Sequence, residues 1–468
     1  MPVGDILPEL AVLLTAVGIV LLASFLPHAR QWVCAPVAIA GLVVAMALCA
    51  AQAGRETLTF SGVWALDGAS VWGRLMVLGT AAAVCAFSPD WMRSDRRHGE
   101  YYAILLFSCL GAMAMAAAAD LLQLVMGALL SSVTGYTLAA YHRDWAVSVE
   151  AGMKYFLMGA LANTALAIGV VLVFGMLGTT DYHGLEATLT STENSALLSA
   201  GVGLVAIGLA FKLGAVPAHA WMPDVAEGAP APAAAFLTVA PKIGGAIALA
   251  RFVSLFPPDV LALRPVVAAL AVITMTLGNL AALWQDDLRR LLGWSSVSQS
   301  GYALMAVAVI GLAPDALPAL LYFLLGYTVA NLAAFGAVIH LRGRTAARDY
   351  AGLVRDRPWT AFILVAALLS LVGIPPLAGF IGKMLLFLAT IDGGYAWLAA
   401  AAIANTVVSL FYYARVIAPV CFGTSAGQSA ILGTWSGTAM LAAGALLFVF
   451  GIGSGPLLDI MGGPLLQP

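Results

Sequence analysis

The chain has 468 residues, of which 62% are hydrophobic and only 9% charged, and its formal net charge is −2. A soluble globular domain carries about a quarter charged residues, so this composition excludes one and points to a polytopic helical membrane protein. No basic tract or aromatic-basic patch is present, which argues against a nucleic-acid partner.

Asp5 and Glu9 flank the start of the first apolar run, so it lacks a signal peptide's basic leader and reads as an uncleaved span. A span needs about twenty apolar residues. On that rule the chain is all-α, with about fourteen spans at 8–26, 32–52, 69–89, 101–119, 121–141, 151–177, 198–221, 233–254, 263–285, 293–313, 316–341, 360–390, 394–420 and 433–453. The longest polar segment, residues 178–197, can hold a short surface helix. No linker divides the chain, so 1–468 reads as one membrane domain.

Loops after odd-numbered spans hold Arg30, Arg93, Arg96, Arg97, Arg143, Arg289, Arg290, Arg342, Arg344, Arg348, Arg355 and Arg357. Loops after even spans hold little beyond Arg55 and Arg264. The positive-inside rule puts the odd loops in the cytoplasm and both termini on the outer, periplasmic side. The five cysteines are scattered with no CxxC pair, and the six histidines are equally dispersed. That pattern does not support a metal or Fe–S site. No glycine-rich phosphate-binding motif is present either, so no nucleotide site is expected on this chain.

The only lysines are Lys154, Lys212, Lys242 and Lys383, all in spans or at a span's edge. Arginine stays protonated in almost any setting, whereas the proton affinity of lysine responds to burial. A charge at mid-bilayer is costly and usually marks an ion or substrate path. Lys154 lies about one turn into its span and could instead snorkel to the surface. Lys242 is roughly 14 Å deep, at 1.5 Å per residue, and Lys212 and Lys383 are similarly placed.

Pro217 interrupts the seventh span, and Pro375 and Pro376 interrupt the twelfth. Proline breaks or kinks a helix, and transporters use discontinuous helices to line ion sites; ordinary proline kinks are the alternative. The two interruptions are five spans apart. An odd-length repeat must insert its copies in opposite orientations, which gives an inverted pair of five-helix repeats. The expected division is 1–98 for the first three helices, 99–256 and 260–422 for the repeats, and 430–468 for the last helix. The stretch "GWSSVSQSGY" puts Ser295 with Gln299 on one helix face and Ser296 with Ser300 on another. With Thr328 and Asn331 in the next span, these groups could hold a water chain or simply bond between helices.

The stretches "EAGMKYFLMGAL" (150–161), "GLAFKLGAVPAHAWMPDVAEGAPAPAAAFLTVAPKIG" (208–244), "RRLLGWSSVSQSGY" (289–302), "LSLVGIPPLAGFIGK" (369–383) and "NTVVSLFYYARV" (405–416) carry a resemblance. The chain resembles the antiporter-like membrane subunits of respiratory complex I, most closely the subunit N branch of NADH:quinone oxidoreductase. "GEYYAILLFS" (99–108) matches as well. The resemblance implies fourteen core helices, broken helices seven and twelve, and Lys212, Lys242 and Lys383 as proton-handling residues. His219, Asp224 and Glu227 belong to the matched 208–244 block as supporting polar groups. It also implies partners: other membrane subunits and a hydrophilic arm, in a prokaryotic plasma (inner) membrane. NADH, FMN, Fe–S clusters and quinone are expected on those partners, with no cofactor, metal or catalytic residue on this chain. Lys383 fits the N-type or L-type pattern, and the chain's end soon after helix fourteen, without a long lateral helix, favours N.

Two departures stand out. The family has a glutamate in helix five, where this chain reads "GALLSSVTGY" with Leu129 in its place. A histidine common in the helix-ten motif is Gln299 here. Without the glutamate, Lys212 lacks its expected anionic partner. The missing glutamate therefore leaves a modified pump or a divergent scaffold that does not pump; a multisubunit cation/proton antiporter subunit shares the lysine and broken-helix pattern, but such subunits usually keep the helix-five glutamate, which argues against that alternative.

Overall fold

The computed structural model describes residues 2–95, 97–189, 195–257, 261–424, 431–461 and 465. Arg96, residues 190–194 of the polar segment, and the expected repeat boundaries at 260 and 430 lie outside the described residues.

Helices α1 (Leu7–Phe25), α2 (Cys34–Ala50) and α3 (Gly68–Trp91) come first. Asp67 starts α3 with a reciprocal capping box to Ser70, which satisfies backbone donors that the helix itself leaves free. α4 (His98–Ala116), α5 (Leu121–Ala139) and α6 (Ala146–Leu177) follow. Asp120 caps α5 through the amides of Leu122 and Gln123. Gly178, at φ 74°, ends α6 in the left-handed conformation that glycine adopts without strain. A short helix α7 (Tyr182–Leu189) lies in the polar segment, as its composition suggested.

The seventh span is α8 (Ala196–Leu213), a break, and then α9 (Trp221–Gly228). The eighth is also divided, into α10 (Ala231–Leu237) and α11 (Ala240–Ser254). Continuous helix was expected there. Pro241, at the start of α11, has no amide to donate to a carbonyl one turn back, and the helix restarts around it. α12 (Leu263–Ala282), α13 (Leu288–Ala308) and α14 (Ala316–His340) lead into a short α15 (Leu353–Asp356). The twelfth span is α16 (Pro358–Val372) and α17 (Ala378–Asp392), separated by Gly373 and the two prolines. α18 (Ala396–Phe422), α19 (Thr434–Ile452) and a short α20 (Ser454–Met461) complete the described chain.

With α10 and α11 taken together as one, twelve helical segments among the described residues are long and apolar enough to cross a membrane. α13 and the α16–α17 pair fill the places of the other two expected spans. The serines and glutamine of α13 lower its hydropathy, and the break shortens α16 and α17. The all-helical expectation misses one hairpin, β1 (Thr57–Thr59) with β2 (Trp64–Leu66). Phe60, Ser61 and Gly62 turn it with φ of 53°, 60° and 91°.

Lipid offers the backbone no hydrogen bonds, so irregular segments must be covered by protein. The divided α10–α11 is enclosed on all sides, as is α14, while α1 and α2 are peripheral, and Pro217, Ile374, Pro375 and Pro376 of the other two breaks are exposed on this chain. Packing recurs between the halves. α4 lies along α5, α6 along α8, and α4 meets α11; likewise α12 lies along α13, α14 along α16 and α17, and α12 meets α18. Two buried ion pairs that the sequence reading missed tie the N-terminal helices on. Arg251 of α11 bonds Asp67 at 2.7 and 3.1 Å, and Arg74 of α3 bonds Glu9 of α1 at 3.2 Å.

Candidate functional site

Both expected breaks have the same plan. α8 ends in Gly214 at φ 70° and α16 in Gly373 at φ 98°. Each is followed by a cis X–Pro peptide, Val216–Pro217 and Pro375–Pro376. Helix ends leave carbonyls without intrahelical donors, and at a mid-membrane break those carbonyls face protein rather than water.

Lys383 uses such carbonyls directly. It sits on α17 and its Nζ donates back across the break to Leu371 O at 2.9 Å and Val372 O at 3.0 Å, the last carbonyls of α16. The negative end of a helix dipole suits an ammonium. Gln299 of α13 donates to the same Leu371 carbonyl at 3.0 Å. Lys242, in the first turn of α11, donates to Ser296 O at 2.6 Å and Ser296 Oγ at 2.7 Å. Lys212, in the last turn of α8, donates to Ala128 O of α5 at 2.6 Å and to Ser132 Oγ. Lys212, Lys242 and Lys383 are 1%, 1% and 3% exposed, which leaves no room for snorkelling. Each Nζ also lies near an aromatic face: Phe211 at 5.6 Å, Tyr327 at 4.4 Å and Tyr302 at 4.3 Å. Such contacts attract a cation, more strongly when it is desolvated.

α13 joins the three. Ser300 Oγ reaches Leu213 O, beside Lys212, and lies 3.0 Å from Ser296 O, which holds Lys242. Its other polar face, Ser295 and Gln299, meets Tyr413 and the α16 terminus. The two faces legible in the sequence therefore serve the two halves of the molecule. Tyr327 OH bonds Ser296 Oγ at 2.8 Å and Thr238 O, at the α10–α11 break, at 2.9 Å. Asn331 donates to Thr238 Oγ1 at 2.9 Å. Thr328 does not join this line, because its hydroxyl bonds Leu324 O of its own helix at 2.7 Å.

Other sequence candidates fall elsewhere. Asp224 and Glu227 lie apart from the three lysines. Arg290 bonds them at 2.6 and 2.7 Å, and Lys154 reaches Glu150 at 2.8 Å and Asp224 at 3.2 Å. Lys154 is thus a half-exposed surface lysine at the arginine-rich end. His219 is partly buried beside Trp294, with 5.8 Å between ring centroids. Leu129 is 40% exposed; the carbonyl of the preceding residue and the hydroxyl of Ser132 meet Lys212.

Among the described residues, none of the three buried lysines has a carboxylate partner. The missing anion is therefore general to the line, and Lys212 is no exception within it. The sequence reading missed Ser132, Tyr136 and Asn163, the Tyr302 and Tyr327 rings, and the Thr238 break. Pro241 and an asparagine in the middle of a 32-residue apolar helix were the available signals. Among the described residues no three His, Cys, Asp or Glu side chains gather as a metal site requires.

Buried lysines on broken helices, linked by a polar central helix, define an antiporter-like membrane subunit. A family described as "NADH:quinone oxidoreductase/Mrp antiporter, TM" matches residues 118–409. A relative from Mycobacterium sp. (strain JLS), named NADH-quinone oxidoreductase subunit N, is 45% identical over 94% of both chains. Subunit N 1 of Streptomyces griseus is 41% identical, covering 98% of this chain and 97% of its own. A chain of respiratory complex I from Thermus thermophilus superposes with TM-score 0.84 and 29% identity, covering 98% of this chain and 100% of that one. A chain of the Mrp complex from Dietzia sp. shares the fold at TM-score 0.82 and 20% identity, over 99% of this chain and 97% of its own. The chain belongs to the NADH-quinone oxidoreductase subunit N family.

Proposed function

We propose that this chain is a proton-translocating membrane subunit of a complex I-type NADH:quinone oxidoreductase. Protons cross at mid-membrane along Lys212, Lys242, Gln299 and Lys383. Lys212 and Lys242 relay in the first half, Gln299 orients water, and Lys383 exchanges with the outer side. The arginine-rich end faces the cytoplasm, and the redox centres lie on partner subunits, whose electron transfer drives the cycle through conformational and electrostatic coupling. The observation that carries this reading is the line itself: three enclosed lysines, linked through α13, each held by neutral acceptors. Neutral acceptors let a lysine give up its proton without leaving an unpaired buried anion, a species that is costly in a low-dielectric interior. The scaffold alternative rested on Leu129. It loses force because Lys242 and Lys383 also do without a carboxylate. The test is the number of protons moved per NADH oxidised by the reconstituted complex carrying Lys383→Ala. A lower ratio with normal assembly is expected; an unchanged ratio removes Lys383 from the path.

A further inference from the structure

Lys212 meets a hydrogen-bonded cluster of side chains between α5 and α6. Ser132 Oγ lies within hydrogen-bond reach of both Lys212 Nζ and Asn163 Nδ2, the latter at 2.9 Å. Asn163 Nδ2 also reaches Tyr136 OH at 3.2 Å. Asn163 is 8% exposed, and its Oδ1 is buried with no hydrogen-bond partner. Gly159, one turn before Asn163, leaves the space in which the Tyr136 phenol lies against α6; any Cβ there would overlap the hydroxyl.

We infer that Asn163 is a positioning residue whose amide lets the Ser132 hydroxyl serve Lys212 in both of its protonation states. This rests on the proton-path reading of Lys212. An ammonium only donates, a neutral amine can also accept, and a hydroxyl does both. Opposite the ammonium, Ser132 must accept from Nζ, and its own proton needs an acceptor, which Oδ1 of Asn163 supplies. Opposite the neutral amine, Ser132 can donate to Nζ, and its oxygen then accepts a hydrogen bond from Nδ2. A half-turn of the amide exchanges the two arrangements, with every proton accounted for. A carboxylate at this position could only accept, and would favour the ammonium alone. In the structure Ser132 Oγ accepts from both Lys212 Nζ and Asn163 Nδ2 while Oδ1 is idle, and turning the amide brings Oδ1 to the Ser132 hydroxyl as its acceptor.

The test compares Asn163→Leu, Asn163→Asp and Lys212→Ala in the assembled complex, with abundance checked on native gels. Proton translocation coupled to NADH oxidation is followed in inverted vesicles across a pH series. Losing a hydrogen bond between neutral groups slows a step by roughly two- to tenfold. Both Asn163 variants should show that loss. Asn163→Asp should also displace the pH profile, which a packing role would leave in place. Wild-type rate and profile in Asn163→Asp would overturn the inference, as would wild-type translocation in Asn163→Leu. If Asn163→Leu fails to assemble, the isosteric aspartate decides. Wild-type translocation in Lys212→Ala would instead overturn the proton-path reading beneath it.

Discussion

Gly245 gives the most direct test of whether the line depends on close helix packing. It lies on α11 one turn beyond Lys242, where α11 meets the end of α8. A Cβ added to Gly245 would stand 2.8 Å from Lys212 Cβ and 3.1 Å from Leu213 Cδ1. Carbon atoms prefer about 3.5 Å or more, so Gly245→Ala must part the helices by about 0.7 Å. Overpacking of this kind costs about 1–3 kcal/mol, and the better helix propensity of alanine offsets about 1 kcal/mol of it. The subunit should therefore fold and assemble. The hydrogen bonds of Lys212 to Ala128 O and of Lys242 to Ser296 have no such tolerance, and misplacement by about 1 Å can cost a hundredfold in rate. Coupled proton translocation should fall at least several-fold while the thermal midpoint of the complex moves by only a few degrees. Gly203→Ala on α8 is the matched control, because nothing lies within 4 Å of its added Cβ. Equal translocation by Gly245→Ala and Gly203→Ala would refute the idea that this contact sets the lysine geometry.

Two further outcomes concern the frame around the line. Arg251→Met leaves the Asp67 carboxylate buried beside α3 without its guanidinium, a change that costs about 3–5 kcal/mol, so complex abundance and thermal midpoint should both drop. At the arginine-rich end, burial pushes the His142 imidazole below its ordinary value, and Asp95 at 3.1 Å only partly offsets this. The unfolded chain then binds a proton that the folded chain resists. Stability rises with pH through the window below about 6.5 and is fully present above it. Thermal midpoints measured between pH 5 and 7.5 should show that slope, and His142→Gln should flatten it.

Much of the site was legible because its chemistry is rare in lipid. Four lysines in 468 residues, three of them in the same spans as prolines, stand out against an apolar background. The two faces of α13 were legible because helical spacing alone separates Ser295 and Gln299 from Ser296 and Ser300. What the sequence hides is pairing across the bundle. Lys383 and Gln299 share the Leu371 carbonyl, and a backbone acceptor leaves no trace in residue identity. Thr328 was misplaced for the related reason that a threonine hydroxyl can turn back on its own helix. The α10–α11 break was missed although Pro241 marks it, because the flanking residues stay apolar through the interruption.

The missing helix-five glutamate changes meaning once the partners of all three lysines are compared. From sequence it isolates Lys212 as the defective member of a set. In the structure Lys212, Lys242 and Lys383 share one solution: carbonyls or a serine hydroxyl at the nitrogen and an aromatic ring nearby. Dipoles of this kind solvate an ammonium without binding it as an anion would, and they cost little when the proton leaves, because no buried charge is left behind. A carboxylate beside Lys212 would hold its ammonium more tightly than the neutral acceptors hold the other two lysines. With leucine at position 129 and Ser132 at the nitrogen, Lys212 is held by neutral acceptors as Lys242 and Lys383 are, so the helix-five departure does not set it apart from the other two.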